Sequence, residues 1–192
     1  MLCFLPHCLR AYRRSHKDHP ASLGYGIETT SPGRVIYSEG VHVGYRYYES
    51  YDVPVAFPFG HGLSYTTFEY SNLVVSPINS AGEFEVTVEV KNTGSMAGEE
   101  VVQVYVKDLI ASSLRPSLEL KGFTKLSLEP GMTQTASLAL DRHALKFYDE
   151  RRDRWVAEKG DFHILVGSTI RDLQQKALAT LKNTITWQTE RD

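Results

Sequence analysis

The sequence predicts an all-β fold in which residues 66–188 form an antiparallel β-sandwich. One observation is the strict alternation of apolar and charged residues in EFEVTVEVK, which is typical of a half-buried antiparallel strand. A second is that about seven strand-like runs follow one another at intervals of roughly ten residues, with turn signals between them. A third is that no helical pattern is long enough for a strand–helix–strand unit. The apolar positions of the alternating run are Phe84, Val86, Val88 and Val90.

The strands on either side of this run show the same pattern less strictly. TFEYSNLVVS precedes it and EEVVQVYVKDL follows it. The residues expected to face inward are Phe68, Tyr70, Leu73, Val102, Val104 and Val106. Val101 and Tyr105 are apolar or aromatic on the opposite side, which indicates that this side is also partly covered. Between the strands, NTG predicts a turn in which Gly94 adopts a positive φ.

The second half of the domain is predicted from its turns. ELKGFTKLSLEPG ends with Pro130 and Gly131 as the central residues of a type II turn, and MTQTASLAL alternates after it. DRHALKFYD is a short connection that predicts one helical turn capped by Asp141. RWVAEKGDFHILVGS predicts two short strands around Lys159 and Gly160, and ALATLKNTITW predicts the last strand region.

The N-terminal third has a different character. Residues 1–20 are basic after the first nine, and we expect little order there. Residues 21–65 are rich in Gly, Tyr and Pro and show no helical period, which predicts an irregular linker. The linker is too apolar to stay in water and too irregular to form its own core, so we expect it to pack against another surface.

Composition excludes several classes of protein. The 192 residues carry a formal net charge of -2, which argues against a nucleic-acid partner or a membrane surface. No apolar run approaches ~18 residues, so no membrane span is expected. Cys3 and Cys8 are the two cysteines, and CxxxxC around His7 is a poor metal signal. MLCFLPHCL lacks a charged region before its apolar run and does not resemble a secretory signal, so no compartment is predicted.

No catalytic site, metal or cofactor is predicted. The candidate acids are Glu39, Glu49, Asp52, Glu99, Glu100, Asp149 and Glu150. Glu99 and Glu100 are adjacent on a strand and must point to opposite faces, and acids beside turns are usually solvated. The histidines at positions 42, 61, 143 and 163 lack the spacing that brings metal ligands together.

An aromatic cluster supplies the candidate binding residues. Tyr45, Arg46 and Tyr48 could contact a sugar, since tyrosine rings stack on sugar faces and a guanidinium binds hydroxyls. Packing between domains is the competing and favoured interpretation, also for Tyr47 and Tyr51. In a separate part of the sequence, Trp155 and Trp187 are predicted to be edge or core residues rather than sugar platforms.

Several motifs resemble a known family. YSEGVHVGYRYYES and VPVAFPFGHGLSYTTFEYS resemble the C-terminal portion of glycoside hydrolase family 3 β-glucosidases. NTGSMAGEEVVQVYVKD, RPSLELKGFTKLSLEPG, LKFYD and DFHILVGS resemble the fibronectin type III-like domain that ends many of these enzymes. The resemblance covers roughly residues 17–170 and implies an immunoglobulin/fibronectin type III-like β-sandwich preceded by the Gly/Tyr-rich linker.

The resemblance also implies a function. Family members are retaining glycosidases in which a barrel domain and an α/β domain carry the catalytic Asp and Glu, and neither motif occurs in this sequence. The chain would then be a non-catalytic portion that supports upstream catalytic domains, with β-glucosides or oligosaccharides as further ligands. The family includes secreted and intracellular proteins. The alternatives are a stand-alone immunoglobulin-like module that binds carbohydrate or protein, and a segment that assembles with separately made upstream domains.

Overall fold

The computed structural model of the chain describes residues 39–188, and within them the secondary structure is almost entirely β. Residues 1–38, including Cys3, His7 and Cys8, lie outside the described range, and so do residues 189–192. The strands in chain order are β1 (Phe68–Val75), β2 (Phe84–Asn92), β3 (Gly98–Asp108), β4 (Glu119–Leu128), β5 (Thr133–Leu140), β6 (Phe147–Asp149), β7 (Arg154–Ala157), β8 (Gly160–Thr169), β9 (Asp172–Leu181) and β10 (Ile185–Trp187).

The strands form two main antiparallel sheets and one small sheet. The first main sheet has the order β1-β2-β5 and the second has the order β4-β3-β8-β9. The small sheet has the order β10-β7-β6. Every recorded strand pairing is antiparallel, so the prediction of an antiparallel β-sandwich is confirmed.

The core lies between the two main sheets. The predicted inward faces of β2 and β3 are buried, and β8 adds the fully buried Phe162. Strict alternation places these residues on one face of each strand, and their burial supplies most of the hydrophobic stabilisation of the fold. Central members are Val86, Val88, Val90, Val102, Val104, Phe162, Ile164 and Val166.

The first strand shows how an irregularity changes the pattern. Tyr70 is buried as predicted, whereas Phe68 and Leu73 are half-buried and pack against the margin of the core. The pairing register between β1 and β2 shifts between Ser71 and Val74, and Asn72 has a φ of 53°. The bulge carries one extra residue, which explains why the alternation in TFEYSNLVVS is loose.

The predicted turns are found, with one correction. The Met132 N–H bonds the Glu129 carbonyl and Gly131 has a φ of 75°, as a type II turn requires. The Asp141 side chain accepts a hydrogen bond from the His143 N–H and caps a 3₁₀ turn over Arg142–Ala144.

Gly94 is the correction, because its φ is not among the positive values. Its N–H instead donates to the side-chain oxygen of Asn92, 3.0 Å away, and this bond shapes the turn. The glycine is needed for space, since a Cβ at this position would lie 2.2 Å from the Thr66 hydroxyl.

The linker contains a short helix that the sequence did not predict. Helix α1 spans Tyr45–Ser50, directly after Gly44, which has a φ of 59°. Six residues make fewer than two turns, too few to leave a visible helical period. The rest of residues 39–65 is irregular, as expected.

Candidate functional site

The three predicted sugar-contact residues lie on α1, where the linker meets the outer face of the four-stranded sheet. Tyr45 packs against a small apolar cluster centred on the buried residues Tyr105, Leu118 and Ile170. This cluster lies on the side of β3 that is opposite the main core. The prediction that both faces of β3 are covered is therefore confirmed, and the covering element is the linker of the same chain.

Tyr45 makes the most specific contacts at this junction. Its hydroxyl accepts a hydrogen bond from the Leu120 N–H at 2.9 Å, and its ring centroid lies 4.7 Å from that of Phe59. The Tyr105 ring meets it edge-on at 6.4 Å. Burial, reinforced by the nearby Tyr45 and Glu49, raises the pKa of the Tyr105 phenol well above its usual range. The Tyr105 ring is therefore a neutral packing group, and the hydroxyls of Tyr45 and Tyr105 both have hydrogen-bond partners.

Arg46 belongs to a charged cluster around one carboxylate. Its guanidinium lies 3.4 Å from one carboxylate oxygen of Glu119, and the Lys121 ammonium lies 3.2 Å from the other. Arg115 lies 3.8 Å from the same side chain and pairs with Asp108 at 2.7 Å. Burial lowers the pKa of the Lys121 ammonium, and the neighbouring Glu119 opposes this effect.

A β-bulge places Lys121 in this cluster. The register between β3 and β4 shifts between Val104 and Tyr105, so that Lys121 is the extra residue between Leu120 and Gly122. A bulge of this kind redirects a side chain that a regular strand would place elsewhere. The charged cluster therefore depends on the irregular pairing of β4.

Tyr48 is the most buried of the three predicted contact residues, with 7% exposure. Its ring meets that of Tyr47 edge-on at 5.6 Å, and the Tyr47 ring lies 4.9 Å from that of Tyr51. The Arg46 side chain is 38% exposed, the largest exposed fraction recorded in its cluster. Of the predicted trio, Arg46 therefore offers polar groups to solvent, whereas the Tyr45 hydroxyl is engaged and Tyr48 is buried.

Further contacts hold the linker on the sheet. The Ile170 N–H donates to the Phe59 carbonyl at 3.1 Å, and the Ser117 N–H donates to the Ser50 hydroxyl at 3.0 Å. Arg171 bridges Glu49 at 3.0 Å and Asp52 at 3.2 Å. Since these contacts involve three separated parts of the sandwich, the linker is part of the folded unit.

Five of the seven candidate acids have side-chain partners, namely Glu49 and Asp52, which bond Arg171, and three more. The Glu99 side chain bonds Lys125 at 2.5 Å on one face of β3, and Glu100 accepts a hydrogen bond from the Tyr70 hydroxyl at 2.7 Å on the other. The expectation that Glu99 and Glu100 point apart is confirmed. The Asp149 carboxylate caps a turn by accepting from the N–H groups of Arg151 and Arg152.

Three of the four candidate histidines have ring neighbours, and these lie at separate places. His42 lies 5.4 Å from Tyr51, His61 lies 5.1 Å from Phe57, and His143 lies 5.5 Å from Trp187. Within residues 39–188, no three His, Cys, Asp or Glu side chains are placed to hold a metal ion. In the same range, no helix is long and apolar enough to cross a membrane.

Sequence reasoning missed the surface on which the linker docks. Leu118, Leu120 and Ile170 were not predicted to form a second cluster, because Ile170 lies far from the two leucines in the chain. The apolar residues on both faces of β3 indicated that another element covers its outer face. They did not indicate which part of the chain that element is. The Arg115–Asp108 pair, with side-chain exposures of 8% and 10%, was also missed, since no pattern in the sequence links the two residues.

This architecture and its sequence match those of known proteins. The fibronectin type III-like domain family matches residues 100–170, which confirms the predicted type of sandwich. A putative β-glucosidase of Schizosaccharomyces pombe is 42% identical over 172 residues, or 89% of the chain. Thermostable β-glucosidase B of Acetivibrio thermocellus is 46% identical over 154 residues, or 79% of the chain. The chain spans 20% of the length of each of these relatives.

Solved structures agree with these relatives. β-Glucosidase 3B of Thermotoga neapolitana matches with a TM-score of 0.82 and 35% identity over 91% of the chain and 24% of that protein. A β-glucosidase of Kluyveromyces marxianus matches with a TM-score of 0.79 and 41% identity over 89% of the chain and 20% of that protein. The chain corresponds to the C-terminal region of glycoside hydrolase family 3 β-glucosidases, including their fibronectin type III-like domain.

Proposed function

We propose that the chain is a non-catalytic supporting portion of a β-glucosidase that hydrolyses terminal β-D-glucosyl residues with retention. Its partners are then the catalytic domains that make up the remaining length of such an enzyme. Retaining hydrolysis needs two carboxyl groups about 5 Å apart, one of them protonated. The acids with partners described above bond turn N–H groups or a lysine, tyrosine or arginine side chain instead of forming such a pair. This favours a non-catalytic role for the chain.

The observation that carries this proposal is the two-sided character of residues 39–65. One side is docked on the sandwich through Tyr45, Phe59 and Ser50. The other side presents apolar side chains to solvent, each more than half exposed: Val41, Val43, Tyr51, Phe57, Leu63 and Tyr65. Six exposed apolar side chains within one short segment are typical of a surface that another domain covers.

Substrate contact by α1 remains part of this proposal. Arg46 is the predicted contact residue with the most accessible polar groups, and Tyr45 and Tyr48 would position it from the docked side of the helix. In this arrangement Arg46 could reach a sugar hydroxyl at the edge of a cleft formed with a catalytic domain.

The alternative is a stand-alone immunoglobulin-like module that binds carbohydrate or protein. It is favoured by the closed core between the two main sheets, which the described residues complete without another domain. Titration of the purified chain with soluble glucans separates the two functions, because a supporting portion needs no affinity of its own for sugar.

A chimeric enzyme tests the supporting role. The matching region of the Kluyveromyces marxianus β-glucosidase, which is 41% identical, would be replaced by this chain. We expect the chimera to hydrolyse an aryl β-glucoside, and the chain alone to show no turnover. A chimera that folds but is inactive, or turnover by the chain alone, would contradict the proposal.

Matched variants identify the surface involved. Leu63→Ser and Tyr65→Ser change side chains that are each 94% exposed in the isolated chain. We expect these variants to lower the melting temperature of the chimera while leaving that of the isolated chain unchanged. Ile110→Ser is the control, since Ile110 is 87% exposed but lies outside the linker.

A further inference from the structure

A row of aromatic side chains crosses the small sheet. Trp155 on β7 is paired with Trp187 on β10 and with Tyr148 on β6. Directly paired residues of neighbouring antiparallel strands project from the same face. The three rings therefore project from one face of the sheet, in the order Tyr148, Trp155, Trp187.

The row runs from solvent towards the core. Tyr148 is 38% exposed, and Trp155 is half-buried without belonging to either apolar cluster. Trp187 is half-buried and packs against the margin of the main core, which anchors the inner end of the row. The Tyr148 and Trp155 rings meet edge-on with centroids 5.2 Å apart, so their relative orientation is defined.

Polar groups of both charges surround these rings. The Lys146 ammonium lies 3.8 Å from the centroid of Trp155, and the Arg142 guanidinium lies 4.5 Å from that of Trp187. The Tyr148 hydroxyl donates to the Asp153 carboxylate. Basic and acidic groups alternate along this part of the chain, so the surface has no strong field of one sign to select a charged polymer.

We propose that this row, Tyr148, Trp155 and Trp187, is a binding surface for a neutral β-linked glucan chain. The inference rests on the proposed function only for the class of sugar. The C–H face of a hexose is flat and weakly positive at its edge, and it fits the negative face of an aromatic ring. Few placed polar groups beside aromatic rings are the usual composition of a small-molecule site.

The dimensions of the sheet suit a short segment of such a chain. With neighbouring strands roughly 4.8 Å apart, β6 and β10 are separated by about 10 Å, close to the length of a disaccharide. Lys146 has a flexible stem, so its ammonium can leave the Trp155 ring and donate to a hydroxyl of the sugar that replaces it. Asp153 and Arg142 supply an acceptor and a donor at the two ends.

Tryptophan fluorescence tests this surface directly. The chain contains two tryptophans, Trp155 and Trp187, and both belong to the row. Titration of the full chain with cellotetraose should therefore change the emission in a saturable way, while the charged oligomer heparin tetrasaccharide should not. Tyr148→Ala should weaken binding and raise the dissociation constant about tenfold, the scale of one lost aromatic contact.

Two further variants keep the test decisive. If Trp155→Ala is too unstable to study, Trp155→Phe takes its place. This variant retains a ring, so its binding of cellotetraose should be measurable by calorimetry. Phe123→Ala removes an aromatic that is 51% exposed on β4 and should bind like the unchanged protein. Unchanged emission, or equal weakening by Tyr148→Ala and Phe123→Ala, would overturn the inference, as would binding only of a protein partner.

The chimeric enzyme separates this inference from the proposed function. The unchanged chimera should hydrolyse a small aryl β-glucoside whether or not it binds cellotetraose, since the row would hold a glucan rather than the reacting bond. An active chimera without cellotetraose binding would refute the binding surface alone. If the isolated chain binds cellotetraose but the chimera is inactive, the supporting role alone would be refuted.

Discussion

Tyr70 and Glu100 join the two main sheets of the sandwich through a hydrogen bond of 2.7 Å from the phenol to the carboxylate. Tyr70 is on β1 of one sheet and Glu100 is on β3 of the other. Burial raises the pKa of Glu100, the hydrogen bond from Tyr70 opposes that effect, and the nearby Asp172 adds to it. Burial also raises the pKa of Tyr70 well above its usual range, so the phenol remains a donor.

This pair predicts a specific pH dependence for Glu100→Gln. A carboxyl whose pKa is raised in the folded state binds its proton more tightly there than in the unfolded chain. The free energy of unfolding therefore falls as pH rises from the unfolded pKa, about 4.3, through the folded pKa. The Gln side chain still accepts from Tyr70 but does not ionise. We expect the variant to gain stability relative to the unchanged protein between pH 4 and neutral pH, measured by urea unfolding.

Glu99→Gln is the control with the opposite sign. The hydrogen bond and charge of Lys125 lower the pKa of Glu99, so its contribution is present above the unfolded pKa and is lost as pH falls through the folded pKa. This variant should lose a small amount of stability relative to the unchanged protein at neutral pH, since the pair is exposed, and match it in acid. Parallel pH profiles for the two variants would contradict the assigned environments.

The contact between Gly94 and Thr66 predicts that no side chain is tolerated at position 94. A Cβ there would lie 2.2 Å from the Thr66 hydroxyl, which itself bonds the buried Asn92 at 2.5 Å. We expect Gly94→Ala to lower the free energy of unfolding by about 1–3 kcal/mol, as overpacking does. Gly62→Ala is the control, because a Cβ at Gly62 meets nothing within 4 Å, and its effect should stay within about 0.5 kcal/mol.

Substitution of Arg115 should cause the largest loss of stability among these variants. Its guanidinium bonds Asp108 at 2.7 Å and the carbonyls of Leu145 and Lys146 at 3.3 Å, and it lies 5.3 Å from the Phe147 ring. Arg115→Met would leave a largely buried carboxylate without its partner, at a cost of roughly 3–5 kcal/mol in thermal or chemical unfolding. Lys125→Met breaks a solvent-exposed pair and should change stability little. Similar losses in both variants would mean that Asp108 is not buried.

The strands could be predicted because their signals are local. The alternation over Phe84–Asn92 requires only neighbouring residues, and it placed the core face of β2 correctly. The type II turn at Pro130 and the cap at Asp141 are also local, since their hydrogen bonds close within four residues. Such features depend on backbone preferences that the local residues determine directly.

What could not be predicted depends on partners distant in sequence. The Tyr45 hydroxyl meets the Leu120 N–H across 75 positions, and no periodicity links the two. Lys121 joins a charged cluster because of a bulge, which one strand alone does not reveal. The row of Trp155 and Trp187 likewise requires the register of β7 and β10, whereas each tryptophan alone predicted an edge or core residue.

Tyr45→Phe tests whether the linker is fixed to the sandwich by its hydrogen bond. The variant keeps the ring beside Phe59 and Tyr105 but removes the acceptor for the Leu120 N–H, which is left at a partly buried position. We expect a loss of about 1 kcal/mol in the free energy of unfolding and faster hydrogen exchange at the Leu120 amide. Tyr65→Phe is the control, since Tyr65 is 94% exposed, and it should leave both quantities unchanged. Unaltered exchange at Leu120 in Tyr45→Phe would show that apolar packing alone holds α1 on the sheet.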